Sequence, residues 1–155
     1  MQFTPIDLGI HRKNVIDFRR DSFAVSFKDT SGFDEKEYLE WLKEKIKEFP
    51  AGFVMVVEKG EPVGQLELST REHEGRRIGY VHLYYLSPEY RGKGIGTEIH
   101  RYALQYFKTQ SVTEFHLRVS PTNIPARKFY RKIGLKEIGP EMEGRVIRMK
   151  GEADE

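Results

Sequence analysis

The feature that most constrains this 155-residue chain is a change of period near residue 90. Upstream, Ile78-Gly79-Tyr80-Val81-His82-Leu83-Tyr84-Tyr85-Leu86 is an apolar and aromatic run with the composition of a central strand, and Ser87-Pro88 ends it. Downstream, Ile95, Ile99, Tyr102, Ala103, Tyr106 and Phe107 recur at helical spacing to about Gln110. Between them, Arg91-Gly92-Lys93-Gly94-Ile95-Gly96 packs three glycines and two cations into a strand-to-helix junction. A helix N-terminus leaves several amides without carbonyl partners and its dipole favours negative charge, so a pyrophosphate can bind there if no side chain blocks its approach. A tight turn that only needs glycine backbone angles gives the same pattern. Spacing excludes two phosphate loops: Lys93 is followed by Gly94 rather than Ser or Thr, and glycines at 92, 94 and 96 do not make Gly-x-Gly-x-x-Gly.

The rest of the chain reads as mixed α/β, with parallel pairing confined to the middle. Glu114 to Ser120 alternates Phe115, Leu117 and Val119 with polar residues, a strand that closes a βαβ crossover. A helix follows with Ala126, Phe129, Tyr130 and Ile133 on one face, Pro125 in its first turn and Gly134 at its end. Leu135 to Ile138 and Arg145 to Met149 are expected to form a closing hairpin around Gly139-Pro140, and Gly151 to Glu155 a fraying tail. Earlier, Phe3 suits a short first strand and Arg12 to Phe27 a helix. Asp34 and Glu37 have capping-box spacing ahead of a helix over Asp34 to Glu48, with Leu39, Leu42, Ile46 and Phe49 on one face. Phe53 to Glu58 and Pro62 to Thr70 read as an antiparallel hairpin about Lys59-Gly60-Glu61, and Arg71 to Arg77 as a polar loop. The length fits one domain, 1–150, followed by the tail at 151–155.

Composition narrows the function classes. The chain has no cysteine, which removes disulfides, thiolate metal sites and a cysteine nucleophile and suits a reducing cytoplasmic setting. No signal peptide or membrane span is legible. A net charge of +2 and the absence of a basic stripe argue against nucleic-acid binding. The histidines have no metal-ligand spacing.

Leu86-Ser87-Pro88-Glu89-Tyr90-Arg91-Gly92-Lys93-Gly94-Ile95-Gly96 resembles the acetyl-CoA motif of GNAT acetyltransferases, where Arg or Gln, two free positions, Gly, one free position and Gly or Ala follow a strand. A second segment, Leu117 to Asn123 continuing through Phe129-Tyr130 to Gly134-Leu135, is similar to the family's next strand and helix. The resemblance spans about Tyr80 to Leu135. It implies an α/β (α+β) domain with a mixed, mostly antiparallel sheet of about six or seven strands, flanked by about four helices. Its fourth and fifth strands would be parallel and splayed for coenzyme. It also implies an N-acetyltransferase with acetyl-CoA as cosubstrate, an amine acceptor and no metal. The family often dimerises, though nothing in this sequence requires it.

By the same resemblance, the amides of Arg91, Gly92, Lys93, Gly94, Ile95 and Gly96, with Thr97, hold the pyrophosphate, and the Leu86 backbone pairs with pantetheine and donates to the oxyanion. Arg91 and Lys93 either add charge near the phosphates or are solvated turn cations. Tyr130 matches the family's general acid, although periodicity alone puts it in the core. Asn123 matches a coenzyme contact, although an Asn before a helix also serves as a cap. For the base the residues offer Glu67, on the alternation face of Gln65 and Ser69, and His82, whose ordinary titration range suits the task. The fourth strand lacks the carboxylate that some family members carry. The competing readings are a solvated strand residue for Glu67 and a hydrogen-bonded packing residue for His82, and an acyl-CoA-sensing module of the same fold is the alternative to an enzyme.

Overall fold

The structure is a computed structural model and describes residues 1–27 and 33–153. Seven strands, β1 (Gln2–Pro5), β2 (Phe53–Glu58), β3 (Glu61–His73), β4 (Arg76–Leu86), β5 (Glu114–Val119), β6 (Lys136–Glu141) and β7 (Val146–Glu152), form one sheet in the order β1-β2-β3-β4-β5-β7-β6. All pairs are antiparallel except β4–β5. The helices are α1 (Leu8–Phe27), α2 (Glu35–Glu48), α3 (Ile95–Thr109) and α4 (Ile124–Lys132), so the expected mixed sheet with its central parallel pair is present.

Local chemistry sets these bounds. Asp34 caps α2 by accepting from the Glu37 amide at 3.0 Å, the reading its spacing gave, whereas α1 begins four residues before the expected Arg12. Three expectations are corrected. The polar stretch Arg71 to Arg77 is mostly strand, because Glu74 and Gly75 both take positive φ and turn β3 into β4 in two residues. Gly139 and Pro140 lie inside β6, opposite Arg148 and Ile147, and the turn instead falls after Glu141, where Met142, Glu143 and Gly144 take positive φ. Gly151 and Glu152 belong to β7, and Ala153 is buried with its amide on the Thr113 carbonyl at 2.8 Å, so these residues are not a fraying tail. Residues 154–155 of the expected tail lie outside the described residues.

The sheet has two buried faces. Val54, Leu66, Leu68, Val81, Phe107, Phe115 and Leu117 pack with α3 on one, and Phe53, Met55, Leu83 and Tyr85 pack with α1 and α2 on the other. Gly79 suits the first face because Phe107 stacks on it, and a Cβ there would come within 2.5 Å of that ring. Along β4 the alternation breaks once: Glu67 pairs with Leu83 but Leu68 with Val81, so His82 is an extra, bulged residue. One inserted residue exchanges the faces. Val81 and Tyr84 therefore both pack on the α3 side, and Tyr80, Leu83 and Tyr85 on the other.

Candidate active site

The glycine turn is built as an open cradle. Gly92 and Gly94 have φ +75° and +80°, and a Cβ at either would meet no atom within 4 Å. Gly94 is the N-cap of α3 without a side-chain cap, so the first amides of that helix keep their donors unspent. Gly96 instead abuts Phe129 of α4, where a Cβ would come within 3.1 Å. Ile95 packs on the core, while Thr97 and Lys93 are exposed. An anion the size of a pyrophosphate fits this arrangement: glycine leaves the space, and the amides and dipole of a four-turn helix supply the donors.

Arg91 points elsewhere. Its Nε donates to the Leu86 carbonyl at 2.8 Å and its Nη2 to Asp21 of α1 at 3.1 Å, and Asp21 also accepts from the Tyr85 hydroxyl at 2.5 Å. The guanidinium braces α1 against the end of β4 rather than entering the cradle.

Beyond the cradle the sheet opens. β4 and β5 pair only at Gly79, Tyr80 and Val81 with Phe115, His116 and Leu117. The Ser87 amide bonds back to Val63 on β3 at 2.8 Å, so strand alternation directs the Leu86 amide away from β3, toward the gap. A cavity of about 1010 Å³ runs through this wedge. On the side of the glycine turn Leu86, Gly92, Gly94, Gly96, Thr97, Asn123 and Tyr130 line it. Burial pushes the Tyr130 phenol up to about 12, so it keeps its proton at neutral pH. Asn123 caps α4, its Oδ1 accepting from the Ala126 amide at 3.3 Å, and it also lines the cavity. Tyr84, carried to this face by the bulge, has its ring 6.2 Å from that of Tyr130.

On the far side of the wedge Arg19 of α1 and Tyr38 and Trp41 of α2 line the cavity with His82 and Tyr80. Glu67 is fully buried behind them. Its Oε2 accepts from the Tyr38 hydroxyl at 2.5 Å and from Gln65 Nε2 at 2.8 Å, and its Oε1, 3.7 Å from Arg19, accepts no hydrogen bond. Burial raises the Glu67 carboxyl above its usual range against the opposing pull of Arg19, Tyr38 and Gln65. Burial, together with the Glu67 charge, also holds Tyr38 well above the phenol range. His82 departs from its expected titration range: burial first, then the charges of Arg71, Lys45 and Arg19, drive it down to about 3. Its Nε2 is 2.7 Å from Ser69 Oγ. A neutral imidazole at physiological pH is a hydrogen-bonding wall and a weak proton acceptor.

Sequence reasoning missed Tyr38, Arg19 and Asp21. Tyr38 was legible as a partner of Leu42 at four-residue spacing, but nothing in the pattern set its hydroxyl on Glu67. Arg19 and Asp21 carried no signal, because their partners, Glu67 and His82 for Arg19 and Tyr85 and Arg91 for Asp21, lie far along the chain.

Comparison with known proteins agrees with this geometry. Residues 13–135 match the model of the acetyltransferase (GNAT) family. An uncharacterized N-acetyltransferase of Archaeoglobus fulgidus is 35% identical over 115 residues, covering 72% of this chain and 74% of that protein. The spermidine N(1)-acetyltransferase of Escherichia coli K12 is 34% identical over 84 residues, 54% of this chain, and the match spans only 44% of that enzyme. Among solved structures, an N-acetyltransferase from Thermoplasma acidophilum in complex with coenzyme A superposes with a TM-score of 0.73 at 21% identity, over 97% of this chain and 98% of the other. That last likeness is one of fold.

Proposed function

Because the chain belongs to the acetyltransferase (GNAT) family, we propose that it transfers the acetyl group of acetyl-CoA to a primary amine of a small molecule, peptide or protein by direct attack. The observation that carries this reading is the single cavity joining the open glycine cradle to Tyr130 on one side and to Tyr38 and His82 on the other. The cradle amides bind the pyrophosphate, and the gap between β4 and β5 takes the pantetheine arm. The acceptor enters over α1 and α2.

An amine must lose a proton before it attacks, since alkylammonium groups titrate near pH ~10. Glu67 receives that proton through Tyr38: the hydroxyl proton passes to the carboxylate as the phenol oxygen takes one from the amine. The amine nitrogen then bonds to the thioester carbon, and the carbonyl electrons become an oxyanion held by the Leu86 amide. When the carbon–sulfur bond breaks, Tyr130 protonates the leaving thiolate, and the second proton still carried by the attacking nitrogen returns through solvent to the Tyr130 phenolate, which leaves the neutral amide and the free CoA thiol.

The test is free-thiol release by the full chain from acetyl-CoA with a panel of amines, with acetylated product identified by mass. Turnover with an acylated amine is expected. Tight acetyl-CoA binding with no turnover on any amine would convert the reading to that of an acyl-CoA sensor, and absence of coenzyme binding would end it.

A further inference from the structure

The sheet face that forms the acceptor wall continues past α2 onto β3, β4, β5 and β7. Residues opposite one another across a ladder share a face, and the pairs Arg71–Ile78, Tyr80–His116, His116–Lys150 and Arg118–Arg148 put these side chains on one surface. Two of its carboxylates are each shared by two cations. Glu114 meets Arg76 at 3.1 Å and Lys150 at 3.5 Å, and Glu141 meets Arg118 at 2.9 Å and Arg148 at 2.8 Å. Arg71 is left over. Its guanidinium lies 3.9 Å from the centre of the Tyr80 ring, and among the described residues it has no carboxylate partner. Tyr80 and Arg118 both line the cavity. The excess positive field is felt on either side: Arg118 and Arg148 press Arg71 down from its ordinary range after burial, and Arg71 is the strongest charge acting on His82.

A guanidinium stacked on an aromatic face is held flat with its donor fork free, the arrangement that takes a carboxylate in two parallel hydrogen bonds. Building on the acetyl-transfer reading, we infer that the acceptor is an amine that also carries a carboxylate, bound by Arg71 where it stacks on Tyr80 of the cavity wall.

The experiment uses matched acceptors that differ only in that charge: triglycine, lysine and 6-aminohexanoate, each beside its C-terminal amide, in the thiol-release assay. For the acceptors turned over, kcat/KM is expected to favour the carboxylate member by about tenfold, as one charge-assisted contact supplies. In Arg71→Gln that preference falls below about threefold, Arg71→Lys restores part of it, and the KM for acetyl-CoA is unchanged. Arg71 is exposed, so the variants keep the fold, and a thermal melt checks this. Equal rates for acid and amide, a preference for the amide, turnover confined to amines without a carboxylate, or an unchanged preference in Arg71→Gln would each overturn the inference. No turnover with any amine would instead strike the acetyl-transfer reading itself.

Discussion

Replacing Gly94 by alanine separates the backbone role of the glycine turn from its binding role. Gly94 has φ +80° and a Cβ there meets nothing within 4 Å, so in the free protein the substitution adds strain and no clash. Holding an L-residue in the left-handed region costs roughly 1–2 kcal/mol. In a domain of this size each kcal/mol moves Tm by about 2–4 °C, so a fall of about 2–8 °C is expected. Gly60, in the β2–β3 turn, is the matched control: its φ is +79° and its surroundings are equally open, but it does not line the cavity. Gly60→Ala should lose the same stability. Of the two, only Gly94 lines the cavity, so only there would the new methyl meet the proposed pyrophosphate. The KM for acetyl-CoA should therefore rise at least about tenfold, or ~1.4 kcal/mol, in Gly94→Ala and stay unchanged in Gly60→Ala. Thermal melts and steady-state kinetics read the two effects independently. Equal KM values in the two variants would refute the cradle. An unshifted Tm in both would refute the strain argument. Arg91→Ala should raise KM less than Gly94→Val, because the guanidinium is spent on Asp21 and Leu86.

Tyr130→Phe should lower kcat by roughly 10²-fold or more with the acetyl-CoA KM nearly unchanged, as expected for removal of a general acid; a kcat within twofold of the parent would assign the tyrosine to packing. His82 has its folded pKa depressed to about 3 from 6.5, so the stability it contributes is full above pH 6.5 and is lost as pH falls toward 3, by up to ~1.4 kcal/mol per pH unit. Denaturant unfolding of His82→Asn across that window should show a shallower slope than the parent. Glu67 has the opposite sign: its raised pKa gives stability that is full below 4.5 and is lost as pH rises through the folded value, so the stability of Glu67→Gln relative to the parent should grow from pH 4.5 upward. A parallel pH dependence in the two proteins would show that Glu67 ionises as freely folded as unfolded.

The coenzyme half of the site was legible because it is local. A strand, a glycine turn and a helix follow one another directly between Arg76 and Thr109, and composition and periodicity mark each of them, although β4 begins two residues before the expected Ile78. The acceptor half was not, because it depends on pairings between distant segments. Glu67 alternates with Leu66 and Leu68 as a solvated strand residue would. It is buried only because α2, starting some thirty positions earlier, lays Tyr38 across it. The closing hairpin failed for a related reason. Gly139-Pro140 reads as a turn, yet Pro lacks only the amide donor, and on the edge strand β6 that donor can be spared.

The bulge at His82 joins the two halves. A regular β4 would carry Tyr80, His82, Tyr84 and Leu86 on one face, so the aromatic wall under the acceptor and the tyrosine beside Tyr130 would compete for the same side of the sheet. The added residue lets one strand serve both chambers. Before it, Tyr80 and His82 face the acceptor; after it, Tyr84 and Leu86 face the α3 side where Tyr130 stands. The same irregularity interrupts the ladder where β4 parts from β5, and a strand twisted by a bulge keeps regular parallel pairing less well. The gap proposed for the pantetheine arm and the change of face along β4 thus share one cause, an unpaired residue in an otherwise regular strand.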